Sequence, residues 1–240
     1  MNTEKQIEQQ NNEEIDIEQV STEKGIETYI KKYKIQIISI IGLIAVIAII
    51  SVFWFRSGSE KEEKASLYLS RIISEYDSGN YETALKGDKN KKVRGEGVFG
   101  LEYIANEYRS TEPGKIAALY AGKCLMELNK NIKALEYFEV ASESNSPVIK
   151  QGAFTAIATI YEFQNKLKDA AEMYYKAAGF AIEKEVKARL LLYSAMNYAK
   201  INDKENAIKN YREVIGLSEF SEYGDMAKMG LTELGIVIDL

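Results

Sequence analysis

Three groups of residues in this 240-residue chain have types and spacing that could do chemistry. Gly95-Glu96-Gly97-Val98-Phe99-Gly100 spells G-x-G-x-x-G, a pattern that lets backbone approach a pyrophosphate. That use requires a preceding strand and a surrounding βαβ unit. The residues in front are the polar, basic DKNKKVR, so the expected role is a flexible link and a close approach of helices. Cys124 is the single cysteine, and the chain has no histidine. Ser-His-Asp and Cys-His nucleophile activation are thereby excluded, as is His-ligated zinc. Cys124 reads as a buried structural thiol with no disulfide partner in the chain. Glu60, Glu62 and Glu63 alternate with Lys61 and Lys64 as on a solvated helix face, and no acidic pair has calcium-loop spacing. No catalytic, cofactor-binding or metal-binding constellation is expected, and the chain reads as a non-enzyme without cofactors. An enzyme working through a carboxylate pair is the alternative left open.

Charge narrows the partners. The net charge is −5, and residues 1–34 carry eight acids against five lysines. A nucleic-acid binder usually shows a basic face, so none is expected, nor is a small-molecule substrate. A protein-binding surface is what remains.

The element that would position such a surface is the apolar run Ile35–Phe55, IQIISIIGLIAVIAIISVFWF, which carries no charge. As a helix it would be on the order of 30 Å long, about the thickness of a bilayer core. A cleaved signal peptide is the rival reading. The long preceding segment, the length of the run and the lack of a small-x-small site after it favour a retained anchor. Trp54 and Phe55 suit the headgroup boundary. Lys24, Lys31, Lys32 and Lys34 before the run outnumber Arg56, Lys61 and Lys64 after it, which favours a cytoplasmic tail and an extracytoplasmic C-terminal domain. A cytoplasm-facing receptor follows if that small bias misleads.

Beyond the run the pattern is helical, with no period-two stretch long enough for a strand. Pro113 and Pro147 stand where helices should begin, with Ser146 as N-cap to Pro147. A small residue followed four on by an aromatic recurs as Ala134…Phe138…Ala141, Ala170…Tyr174…Ala177 and Ala207…Tyr211…Val214. The leading alanines are 36 and 37 residues apart. Twelve residues before each lie Gly122, Ala158 and Ala195, then Leu125, Tyr161 and Tyr198. Small residues let two antiparallel helices approach, and the aromatic fills the gap to the next pair. One such hairpin cannot bury both faces, so hairpins must stack. Upstream, residues 60–76 predict a helix buried through Ala65, Leu69, Ile72, Ile73 and Tyr76. Gly79-Asn80 predicts a turn, and a helix is expected near 97–108. Ala84 takes the small position, but lies 50 residues before Ala134, so that unit is imperfect or interrupted.

This register resembles the tetratricopeptide repeat (TPR). With the tail, the span, the charged helix, ALKGD, and Glu107-Tyr108, Thr111, Gly114 and Ala117–Gly122, the order of parts is similar to bacterial single-span TPR membrane proteins grouped with the ancillary subunit of the Sec translocon. The fold so expected is all-α: an N-terminal transmembrane helix followed by an α-solenoid of TPR-like hairpins. Its parts would be a disordered acidic tail over 1–20, a juxtamembrane helix over 21–34 and the transmembrane helix over 35–55. Solenoid helices with a degenerate repeat would follow over 56–110, then three repeats over 111–217 and a closing helix over 218–240. In such a solenoid the first helices line the groove. That mapping nominates Tyr120, Lys123, Thr159, Tyr193 and Met196 as protein-binding residues. The Lys/Asn/Arg set that clamps a chaperone's C-terminal carboxylate in some TPR proteins is not matched. The resemblance implies a scaffold in the bacterial inner membrane. Its partners would be translocon subunits, extracytoplasmic chaperones or unfolded secreted chains. A TPR scaffold for envelope assembly or cell division, without translocon contact, is the other reading.

Overall fold

The computed structural model describes residues 58–93 and 95–237, together with scattered positions between 33 and 48. The chain divides into two compact units, Met1–Ser57 and Gly58–Leu240. In the first, the described positions are helical, and Leu43, Ile44, Val46 and Ile47 are each more than half exposed. The tail, juxtamembrane helix and span expected over 1–55 otherwise lie outside the described residues. Among the described residues, no helix is long and apolar enough to cross a membrane.

The second unit is mostly helical. Its elements are α1 (58–77), α2 (Tyr81–Lys86), β1 (Gly87–Val93), β2 (Glu96–Phe99), α3 (Leu101–Glu107), α4 (Glu112–Glu127), α5 (Asn131–Ser142), α6 (Pro147–Phe163), α7 (Leu167–Phe180), α8 (Lys184–Lys200), α9 (Lys204–Ser218) and α10 (Glu222–Glu233). Side chains of Thr111, Asp203 and Ser221 cap the starts of α4, α9 and α10. Thr111 and Ser221 each accept a hydrogen bond from the N–H three residues on, Gly114 at 3.1 Å and Gly224 at 3.2 Å. Each hydroxyl in turn donates to the carbonyl three residues back, of Tyr108 and of Ser218. The Ser221 cap sets α10 slightly later than the closing helix expected from Ser218. Ser146 does occupy the N-cap of α6, but its side chain makes no capping bond.

Five turns end helices in one way. Gly79, Asn129, Asn165, Asn202 and Gly235 all have left-handed backbones, with φ between 57° and 83°. After each, the next N–H returns to a carbonyl five residues back: Asn80 to Glu75, Lys130 to Leu125, Lys166 to Tyr161, Asp203 to Tyr198 and Ile236 to Leu231, at 2.7–3.0 Å. This satisfies carbonyls that a helix end leaves orphaned. Glycine and asparagine reach this conformation at least cost. The three asparagines are 36 and 37 residues apart, the period of the leading alanines.

From α3 onward each helix packs mainly on its neighbours in sequence. The α4–α5, α6–α7 and α8–α9 hairpins stack in order, the packing of an α-solenoid. The nine residues of the small–aromatic register, Ala134 to Val214, are all buried, as are Gly122, Ala158 and Ala195. Two apolar clusters result, one from α1 to α6 and one from α6 to α10.

The expectation of an all-helical domain without strands is corrected between Gly87 and Phe99. There β1 and β2 pair antiparallel, Gly87 opposite Phe99 and Val93 opposite Glu96, with an irregularity between Asp88 and Lys92. The G-x-G-x-x-G run is therefore not a link. Gly95 (φ 87°) makes the turn, Gly97 lies in β2, and Gly100 forms the neck with Gly87. The helix expected near 97–108 starts at Leu101 for the same reason. The short α2 and α3 both pack on α4, as one second helix of a hairpin would. The hairpin interrupts that helix. Excising the fourteen residues 87–100 would bring Ala84 to the usual 36 residues from Ala134.

Glu112 ties the start of α4 to the α5–α6 turn. Its carboxylate accepts from Ser144 Oγ at 2.6 Å and from the Asn145 N–H at 3.0 Å, and pairs with Lys115 at 3.0 Å. Burial alone would raise its pKa, but the Ser144 and Lys115 bonds outweigh this and hold it below the ordinary 4.5. A depressed carboxyl stabilises fully above its unfolded pKa and loses that contribution as pH falls through the folded value. Glu112→Gln is expected to cost about 1 kcal/mol near neutral pH, allowing for partial exposure. Melting curves of variant and parent should converge as the pH drops below 4.5.

Candidate functional site

The first helices of two successive hairpins, α6 and α8, carry most of the polar residues that meet at one place. On α8, Tyr193, Met196, Asn197 and Lys200 follow i, i+3, i+4, i+7 spacing and so share one face. The other side of α8 is anchored by Ala188, Leu191, Ala195 and Tyr198, all buried, which fixes its rotation. On α6, Thr159 and Glu162 are three residues apart, and α7 contributes Tyr174. A pocket of about 260 Å³ is lined by Glu162, Tyr174, Tyr193, Met196, Asn197 and Lys200.

Glu162 is its hub. Oε2 accepts the Tyr174 phenol at 2.7 Å, and Oε1 accepts Asn197 Nδ2 at 2.9 Å. Lys200 Nζ stands 3.8 Å from Oε1 with its side chain 52% exposed, so this ion pair is weak. The Thr159 hydroxyl donates to the Thr155 carbonyl and lies 3.3 Å from the Tyr174 hydroxyl. Burial pushes the Tyr174 pKa well up, and the bond to Glu162 adds to the rise, partly countered by Thr159. The group is thus a neutral phenol that donates. The Tyr174 and Tyr193 rings meet edge-on with centroids 5.5 Å apart. Asn197 is 1% exposed and also donates to the Tyr193 carbonyl at 2.9 Å, while its Oδ1 is buried with no hydrogen-bond partner among the described residues.

Of the residues nominated from the repeat, Tyr193 and Met196 line this pocket and Thr159 adjoins it through Tyr174. Tyr120 and Lys123 are elsewhere, on α4. The Lys123 ammonium lies 5.4 Å from the Tyr120 ring centre, and that ring packs edge-on against Tyr76 of α1 at 4.8 Å. Glu162, Asn197 and Lys200 were not nominated, and Tyr174 was read only as a packing aromatic. The signal for Asn197 and Lys200 was their i+4 and i+7 spacing from Tyr193. Nothing local marks Glu162, whose partners come from other helices.

The other chemical candidates resolve structurally. Cys124 is buried, and desolvation lifts its thiol pKa to about 11, so it stays protonated and unreactive near neutrality. Gly95–Gly100 lies in a two-stranded antiparallel hairpin, and among the described residues no parallel strand adjoins it as a dinucleotide fold requires. Among the described residues, no group of cysteine, aspartate and glutamate side chains could hold a metal ion. A wider, mostly apolar cavity of about 750 Å³ lies at the end of α10, between Met229, Thr232 and Val237. It has few polar groups to orient a ligand. No protein-family model matches the chain, and no curated protein matches it either.

Proposed function

We propose that this chain is a membrane-anchored, non-enzymatic scaffold that binds other proteins through the first helices of a TPR-like stack. The observation that carries the reading is the register. Small and aromatic residues and a left-handed asparagine turn recur together every 36 or 37 residues, and the buried side chains follow them. Stacked hairpins of this kind present a continuous face of first helices, which suits an extended polypeptide better than a compact ligand. Tyr193 (38% exposed) and Met196 on that face are contact residues of the usual type. The uncharged run Ile35–Phe55 would anchor the scaffold in the bacterial inner membrane. The small lysine bias favours the extracytoplasmic side for the domain, and the resemblance suggests a place beside the protein translocation machinery, where it would meet secreted chains and their chaperones. Tethering raises the effective concentration there, so weak contacts suffice.

A photo-crosslinking amino acid at Tyr193, in cells, tests the proposal. Adducts with translocon subunits, chaperones or secreted chains in transit are expected. Adducts confined to envelope-assembly or division proteins would replace the translocon assignment. A topology reporter fused after Leu240 that is active in the cytoplasm would reverse the orientation.

A further inference from the structure

We infer that the pocket between α6, α7 and α8 receives a cationic side chain, arginine or lysine, from the bound polypeptide. This rests on the protein-binding reading above and names what that surface selects. The argument counts donors and acceptors. Asn197 directs Nδ2 at two acceptors, Glu162 Oε1 and the Tyr193 carbonyl, both at 2.9 Å. The flipped amide would set its oxygen against two oxygens, so the orientation follows from the network. Asn197 lines the pocket, and its amide oxygen is left over, buried and without a partner among the described residues. Native structures rarely leave a buried acceptor in that state.

The remaining wall is electron-rich. Glu162 keeps lone-pair capacity beyond its two bonds. The Tyr174 hydroxyl already donates its hydrogen bond to Glu162, and the two tyrosines offer ring density. Met196 adds a polarizable sulfur. The one cation lining the pocket is Lys200, at 3.8 Å and half exposed. It is held too loosely to be the intended partner of Glu162, and fills that role within the chain.

Ligand classes then separate. An anion would face the Glu162 carboxylate. An apolar side chain would leave that carboxylate unanswered. A guanidinium or ammonium answers it and lies against the tyrosine rings. Small-molecule pockets usually span about 300–1,000 Å³. At about 260 Å³ this one has room for a single side chain.

The test titrates the full-length protein in detergent with a capped, unstructured Gly/Ser peptide carrying one arginine. Citrulline and glycine counterparts, and spermidine as a free cation, run alongside. Citrulline keeps the shape of arginine and removes the charge. The arginine peptide should bind at least roughly tenfold tighter than the citrulline peptide, the scale of one charge-assisted hydrogen bond. Glu162→Gln should bring the arginine peptide to the citrulline level. It also gives up one acceptor of the Tyr174–Asn197 network, so its binding is read well below its own Tm and beside Lys200→Met, which leaves that network intact. Lys200→Met, at an exposed position, should tighten arginine binding severalfold by removing the internal competitor. Equal binding of arginine and citrulline peptides overturns the inference, as does indifference to both substitutions. Spermidine binding as tightly as the peptide overturns the polypeptide source. If the glycine peptide binds as well as the arginine peptide, protein binding stands and the cation pocket falls. If no peptide binds and Tyr193 gives no adducts in cells, both fall.

Discussion

Phe138→Ala should lower the stability of the helical unit by about 3–5 kcal/mol, the most of any single truncation considered for this fold. The Phe138 side chain is fully buried, and it is the aromatic of the first repeated unit. It fits because its neighbour on α4 is Gly122. A Cβ added there would lie 2.6 Å from Phe138 Cε1, far inside contact distance. The ring occupies the space that the missing side chain leaves, so each residue explains the other. For a unit of this size the loss corresponds to a drop in Tm on the order of 10 °C. Gly122→Ala should itself cost about 1–3 kcal/mol by overpacking. In a Phe138→Leu background the same alanine should cost clearly less, because the two sites share one volume. A calorimetric double-mutant cycle checks this. Additive effects would show that the ring and the glycine are not coupled.

The second large effect lies at the neck of the β-hairpin. Gly87 has φ 78° and ψ −180°, a region that only glycine enters readily, so a side chain there adds about 1–3 kcal/mol of strain. Gly100 has an ordinary extended backbone, but a Cβ on it would overlap the Leu85 carbonyl and the Gly87 nitrogen. These are backbone atoms and cannot swing aside. Gly100→Val should therefore part the two strands and loosen the α2–α3 junction, costing at least about 1–3 kcal/mol. Removing the whole hairpin, by joining Lys86 to Leu101, should do much less harm, because it restores one continuous second helix. Hydrogen exchange gives the clearest measure. Gly100→Val should lose amide protection in α2 and α3, while the excised chain should keep it. An excised chain that fails to fold would show that the hairpin is integral to the unit.

The stacked hairpins could be read from the chain because their contacts repeat. Ala170, Tyr174 and Ala177 are buried as their spacing requires, and so are Ala207, Tyr211 and Val214. A contact made by the same residue types at a fixed interval leaves a trace along the sequence. The hairpin left none. β1, GDKNKKV, shows no alternation of apolar and polar residues, and β2 is four residues long. Its main buried contacts come from the adjacent Val98 and Phe99 at one end of β2 rather than from alternate residues, so period-two reasoning had nothing to detect. The pocket was half legible. Tyr193 and Met196 follow from the face of a first helix, whereas Glu162 matters through Asn197, 35 residues away, and Tyr174 on the next helix. Such a meeting depends on how successive hairpins are rotated, which one sequence does not state.

The asparagine turns give the molecule a ruler. Asn129, Asn165 and Asn202 recur at a near-constant interval, and each hairpin meets its neighbours through equivalent faces. A stack of this kind can change length in whole steps without a new interface being invented. An in-frame second copy of residues 147–183, placed before Lys184, would set a duplicate of α6 on α7 much as α8 sits there now. The length of the stack is thus a quantity that gene duplication can adjust one notch at a time, leaving both of its ends as they are.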